Sequence, residues 1–202
     1  MRHVTVPLFM FDELGTECQQ KVIEEHRDIN VDHAWYEDEI EYFKDEMLKK
    51  GYEVDDVQFS GFSSQGDGAL WVGGVHLQKW LNSHPRGTYL TKIHEYIEKV
   101  APSGDDVIFI TRMAYPHYCH RFMMGIDYDD FYGWDGHNIS GEDMIIFSSV
   151  VLSAARDEAH ELYRTLETIY DGLRSDEEVI ETIKCNEYEF TLDGDIWKDS
   201  GC

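Results

Sequence analysis

Positive charge is what this chain is short of. Lysine and arginine together number 17 against 41 aspartates and glutamates, a formal charge of −24 over 202 residues. A surface of that sign repels nucleic-acid phosphates and anionic lipid headgroups alike, which argues against direct binding to nucleic acid or to a membrane surface. Long apolar runs are missing too. The nearest, Met144 to Leu152, is broken by Ser148 and Ser149 and falls short of the roughly 18 to 20 residues a membrane helix needs. Cysteine is sparse: Cys18, Cys119, Cys185 and Cys202 make no C-x-x-C pair, and the chain opens without a basic and then apolar leader. A soluble protein of a reducing cytoplasm is expected. No Gly-Lys-Ser/Thr follows a glycine-rich loop, so there is no P-loop, and no acids at alternating positions build an EF-hand.

What is present is enough apolar residue, 42% of the chain, to bury a core without a disulfide or metal. A single α+β domain spanning residues 1–202 is expected, with an antiparallel sheet of about four to six strands and helices packed around it. The acid is unevenly spread. Residues 1–60 carry 16 acids and 6 bases, residues 61–126 carry 5 and 6, and residues 127–202 carry 20 and 5. A nearly neutral middle segment thus sits between two acidic arms.

Periodicity predicts the elements. His3 to Phe9 alternates like a strand, and Thr16, followed by Gln19 and Gln20, reads as the cap of a helix over 16–28. A second helix over 33–50 puts Trp35, Ile40, Phe43 and Met47 or Leu48 on one side and Glu37, Asp38, Glu41 and Asp45 on the other, with Gly51 at its end. The period then changes to two, giving strands near 54–62, 69–76, 106–115 and 121–128, with a short helix over 90–100. A glycine-rich loop over 133–141 precedes a helix over 143–172. Its stripe Phe147, Val151, Ala155, Ala159, Leu162, Leu166, Ile169 and Leu173 steps by four and three. Ser175 caps a last helix to 185, and Tyr188 to Leu192 alternates like a closing strand.

Two stretches hold chemistry. In Ser63-Ser64-Gln65-Gly66-Asp67-Gly68, glycines let a ligand approach the main chain, Ser64 and Gln65 offer hydrogen bonds, and Asp67 offers a carboxylate; the same residues also suit a tight β-turn in which Asp67 caps its own backbone. His117 and His120, three apart, would suit a transition metal with Asp67 as a third ligand, or an acid–base pair with it; equally, they pack and hydrogen-bond around a hairpin beside Tyr115 and Tyr118. Cys119 between them lacks the surroundings of any cysteine hydrolase.

Three stretches carry a resemblance: Phe59 to Ala69, the His117-Tyr118-Cys119-His120 cluster, and Ser175 to Val179 with Asn186 to Thr191. With Asp12-Glu13-Leu14 and Gln19-Gln20-Lys21, they resemble a phage-encoded family sharing a Gly-Phe-x-Ser-Gln-Gly-Asp-Gly-Ala turn, whose members are loosely labelled antitoxins or hypothetical proteins. The resemblance implies a setting, the cytoplasm of a bacterial host cell, more than an activity. Two functions are expected from the residues and that setting. One is an accessory protein that neutralises a host factor, a defence or toxin component, through acidic surfaces that mimic nucleic acid, with Glu37, Asp38, Glu41 and Asp45 in contact. The other is a nucleotide binder or metal-dependent hydrolase built on Asp67, His117 and His120. No organic cofactor is expected, and whether there is catalysis stays open, as does the oligomeric state.

Overall fold

The computed structural model describes residues 5–84, 95, 107–113, 118–127 and 141–197. In chain order the elements are β1 (Phe9–Met10), a 3-10 turn (Phe11–Glu13), α1 (Thr16–Glu25), α2 (Glu37–Lys49), β2 (Tyr52–Phe59), β3 (Ala69–His76) and α3 (Leu77–Ser83). There follow β4 (Val107–Arg112), a 3-10 turn (Arg121–Met123), β5 (Met124–Ile126), α4 (Gly141–Leu173), α5 (Asp176–Cys185) and β6 (Glu189–Phe190). The class is α+β, as the sequence indicates. The chain packs as two compact units, one from Glu37–Leu166 and one from Met1–Tyr36 with Glu167–Cys202.

The contiguous unit is built on a four-stranded antiparallel sheet in the order β2-β3-β4-β5. Its central strand β3, Ala-Leu-Trp-Val-Gly-Gly-Val-His, is buried along most of its length, which is why it lacks the polar alternation of a one-sided strand. β2 is an edge, and it carries the exposed acids Glu53, Asp55 and Asp56 with a register break between Val54 and Asp56. Charge and a bulge on an open edge discourage pairing with another chain. Trp71 lies in the interior, its ring 5.3 Å from that of Tyr52 and its indole N–H donating to the Ala155 carbonyl at 3.1 Å. Trp80 donates to the Tyr52 hydroxyl at 2.6 Å, so both polar tips of this buried aromatic group are satisfied. Phe147, Val151, Ala155, Ala159, Leu162 and Leu166 of α4 are all buried, six of the eight positions expected from the spacing, while Ile169 and Leu173 are only half-buried.

The second unit has its own core of Phe11, Leu14, Val22, Ile23, Val179, Ile183 and Phe190. Here β1 and β6 form a separate two-stranded antiparallel ladder, pairing Phe9 with Phe190 and Met10 with Glu189, so the terminal strands do not join the main sheet. Ser175 caps α5 by accepting from the Glu178 N–H, with three acids in the first turn, as its sequence indicates.

Several expected boundaries move. Gly15, not Thr16, is the N-cap of α1, and no side chain caps it. α2 begins at Glu37 rather than near 33, and Leu48 is exposed, leaving Phe43 and Met47 as its buried residues. The strand expected over 121–128 shortens to three residues because Arg121–Met123 is a 3-10 turn. α3, with Leu77, Trp80 and Leu81 buried, is a helix the periodicity reading passes over. The expected helix over 90–100 and the loop over 133–141 lie outside the described residues, Glu95 and Gly141 excepted.

Candidate functional site

The turn Gly61 to Gly68 joins β2 to β3, and Asp67 organises it. Its Oδ2 accepts from the backbone N–H of Ser64 at 2.6 Å and of Ser63 at 3.0 Å. Those amides, Ser64 first, and the Ser60 hydroxyl hold the Asp67 carboxyl below its ordinary range. The turn is further fixed by Gly66 at φ +100° and by the Ser60 N–H donating to the Gly68 carbonyl at 3.1 Å. Asp67 is thus the cap of its own backbone turn, and at least one of its oxygens is already occupied. Ser64 and Gln65 are exposed on the turn.

The loop before the Arg121–Met123 turn lies against this one. A methyl group on Gly68 would meet His120 Cδ2 at 2.8 Å and the Cys119 carbonyl at 3.2 Å, and one on Gly66 would meet the Tyr118 ring at 3.1 Å. Side-chain-free backbone at 66 and 68 lets the two loops touch. His120 Nδ1 accepts from the Phe122 N–H at 3.3 Å, which places the imidazole proton on Nε2. Tyr163 of α4 closes the arrangement: its hydroxyl donates to the Gly61 carbonyl at 3.2 Å and its ring lies 5.4 Å from that of Phe62.

Together these elements enclose a small hollow of about 70 Å³ lined by Asp67, Gly68, Ala69, His120, Arg121, His160 and Tyr163. Of the residues singled out in the sequence, Asp67 and His120 meet here. His117 lies outside the described residues. Glu37, Asp38, Glu41 and Asp45 are exposed on α2 and do not line the hollow. Among the described residues no three His, Cys, Asp or Glu side chains are grouped to hold a metal ion. His160, Arg121 and Tyr163 were not singled out. The available signal was the spacing Arg156, His160, Tyr163, four and three apart, a second stripe on the helix whose apolar stripe faces the core.

The electrostatics of the hollow differ from those of the chain. Burial lowers the His120 pKa from its ordinary 6.5, and the nearby Arg121 and His160 lower it further, so the ring is neutral at pH 7. Unfolded His120 takes up its proton as pH falls through about 6.5, while the folded ring does so only at lower pH. Folding stability should therefore decline from pH 6.5 down to the folded pKa, and His120→Gln should show a smaller decline. Urea midpoints of both proteins across that range check this; parallel curves would show that His120 is not held neutral. Asp67 adds a separate loss at lower pH, since its stabilisation is complete above its ordinary 3.8 and fades as pH falls through its lowered value.

A second depression, of about 140 Å³, lies between α2 and α4. The buried Phe43, Met47 and Leu162 give it an apolar floor, and the exposed Tyr42 with Glu39, Glu46, Glu158 and Glu161 line it above. Lys50 is bonded there to Glu158 at 2.6 Å.

Among the described residues no helix is long and apolar enough to cross a membrane. No curated protein and no solved structure matches this chain. A family does: residues 35–176 match a domain of unknown function, DUF8835, a span that takes in the whole Glu37–Leu166 unit and every residue around the hollow. The chain belongs to the DUF8835 family.

Proposed function

We propose that this protein acts by binding, engaging a basic surface of a partner protein through the acidic side of α2. The observation that carries this reading is the grouping of Glu37, Asp38, Glu41 and Asp45. All four are exposed, and at 3.6 residues per turn they fall within an arc of roughly 100°. Among the described residues only Glu41 of the four has a lysine partner, Lys44 at 3.3 Å. The adjoining depression, apolar below and acidic at its margin, supports the same reading, because it suits the apolar stem and charged end of lysine or arginine. A surface of this sign also speeds encounter with a basic partner. The resemblance of the Gly61 to Ala69 turn to a phage-encoded family supports the finer form of the proposal. In that form the protein is an accessory factor that occupies the nucleic-acid groove of a host defence or toxin protein. Hydrolysis at the hollow has less behind it, because Asp67 is engaged by the turn that contains it.

The test is capture of partners from nuclease-treated bacterial lysate by the wild-type chain and by a variant carrying Glu37→Gln, Asp38→Asn, Glu41→Gln and Asp45→Asn. The expected result is that the variant loses the captured partner and that its residual binding responds less to salt. Asp67→Asn and His120→Ala should capture as wild type does. Retention by the α2 variant, with loss by folded Asp67 and His120 variants, would overturn the reading.

A further inference from the structure

In a chain so poor in basic residues, cationic side chains are drawn together beside the hollow. The guanidinium of Arg121 lies 5.1 Å and that of Arg156 5.6 Å from the centre of the same Phe122 ring. Burial and the neighbouring Arg121 both lower the Arg156 pKa, so the two arginines are close enough to repel. Arg156 donates to the Met124 carbonyl at 2.7 Å, but its Nε is buried without a hydrogen-bond partner. Such a buried, unpaired donor is costly and uncommon. The carboxylate that Arg121 meets is Asp157, at 3.4 Å and largely exposed, where an ion pair contributes little. His160 lines the same hollow as His120, and Arg121 and His160 together oppose a charge on His120. A grouping of this kind is relieved by an anion among its members.

We propose that the hollow bounded by Gly68, His120, Arg121, His160 and Tyr163 binds a small oxyanion of the phosphate class, held by the Arg121 guanidinium and the two imidazoles. The chemistry of the wall fits this. Arg121 offers a planar fork of donors matched to phosphate oxygens, and His120 offers Nε2–H because Nδ1 is committed to the Phe122 N–H. The volume, about 70 Å³, is several times the roughly 10–15 Å³ that a single water needs, which leaves room for a group of a few heavy atoms. Asp67 also lines the hollow, and its charge is partly satisfied there by the two backbone amides on its Oδ2. Gly68 keeps the His120 ring packed on bare backbone, which fixes its orientation. The inference does not depend on the acidic surface of α2 and uses none of its residues.

The experiment is titration of the whole chain with inorganic phosphate near pH 7, followed by the imidazole nitrogen and proton resonances of His120 and His160. Acetate and chloride at matched ionic strength serve as comparisons. Expected are saturable shifts of the ring resonances of both histidines with phosphate alone, the His120 Nε2–H proton moving downfield as it donates to the anion while Nδ1 keeps its bond from the Phe122 N–H. Arg121→Gln should weaken binding by at least about tenfold, the loss of one charge-assisted contact, and Arg121→Lys should recover part of it. Lys79→Gln, at an exposed position of α3, should leave it unchanged. A nucleoside monophosphate distinguishes the source of the ligand: tighter binding than inorganic phosphate assigns the phosphoryl end of a larger molecule, and weaker binding assigns the free ion. Absence of saturation, identical shifts with acetate or chloride, or undiminished binding by folded Arg121→Gln would each overturn the proposal. Should Arg121→Gln fail to fold, the wild-type titration against acetate and chloride decides alone.

Discussion

Gly73→Ala should cost the contiguous unit at least about 3 kcal/mol, a large share of the roughly 5–15 kcal/mol that holds a domain folded. Gly73 sits in β3 opposite Val54, where β2 carries its bulge, with φ at +151°. A methyl group there would lie 2.0 Å from the Glu53 carbonyl oxygen and 3.0 Å from the Asp55 nitrogen. Both are backbone atoms of a paired strand, so no side-chain rotation relieves the clash. The edge strand β2 would have to part from the buried strand β3, and the positive φ adds strain for any residue with a Cβ. Gly172 supplies the contrasting case. It lies in α4 with nothing within 4 Å of an added methyl, so Gly172→Ala should stabilise by about 0.5–1 kcal/mol through helix propensity. Urea melts followed by circular dichroism read both; comparable small changes would show that the β2–β3 approach is looser than described.

Trp71→Ala should cost about 3–5 kcal/mol, the usual loss for emptying a large aromatic site in a core. The side chain is fully buried, packs edge-on to Tyr52, and ties β3 to α4 through the Ala155 carbonyl. Trp71→Phe separates the contributions. It keeps most of the ring contact and forfeits the indole bond, so its cost should be lower than that of Ala, about 1–2 kcal/mol for the bond plus a contribution from the lost volume. If Phe proved as damaging as Ala in the same melts, the bond to α4 rather than the packed ring would dominate the interior.

The α4 stripe was readable because Phe147 to Leu166 repeats every three or four residues, and that repeat depends only on helix geometry. Ser175 was readable for a similar reason, since a capping hydroxyl acts on an amide three residues away. Thr16 misled because its side chain suits a cap equally well one position too late, and Gly15 takes the place without offering a hydrogen bond. The hollow was half legible. Asp67 and His120 stand out by residue type, but their meeting depends on the 118–120 loop touching Gly66 and Gly68. No local pattern encodes a contact between segments some fifty residues apart in the chain. His160 and Tyr163 were hidden by the same helix periodicity that revealed the core, because a helix with one apolar stripe leaves the remaining faces to be read as solvent. Separation of the terminal strands into their own ladder was equally beyond reach, since Phe9 and Phe190 carry no sign of which strand they pair with.

That ladder bears on the order in which the protein can be made. The Glu37–Leu166 unit is continuous in sequence, so all of its contacts are available once residue 166 has left the ribosome. The other unit takes Phe11, Leu14, Val22 and Ile23 from early in the chain and Val179, Ile183 and Phe190 from near its end. During translation the early residues therefore wait, with their apolar side chains uncovered, while roughly 150 further residues are added over about 8 to 30 seconds at ordinary elongation speeds. Over that interval α1 is the part of the nascent chain most open to proteases and to chaperones that recognise apolar segments. A truncation that removes α5 and β6 would make the exposure permanent while leaving every residue of the contiguous unit in place.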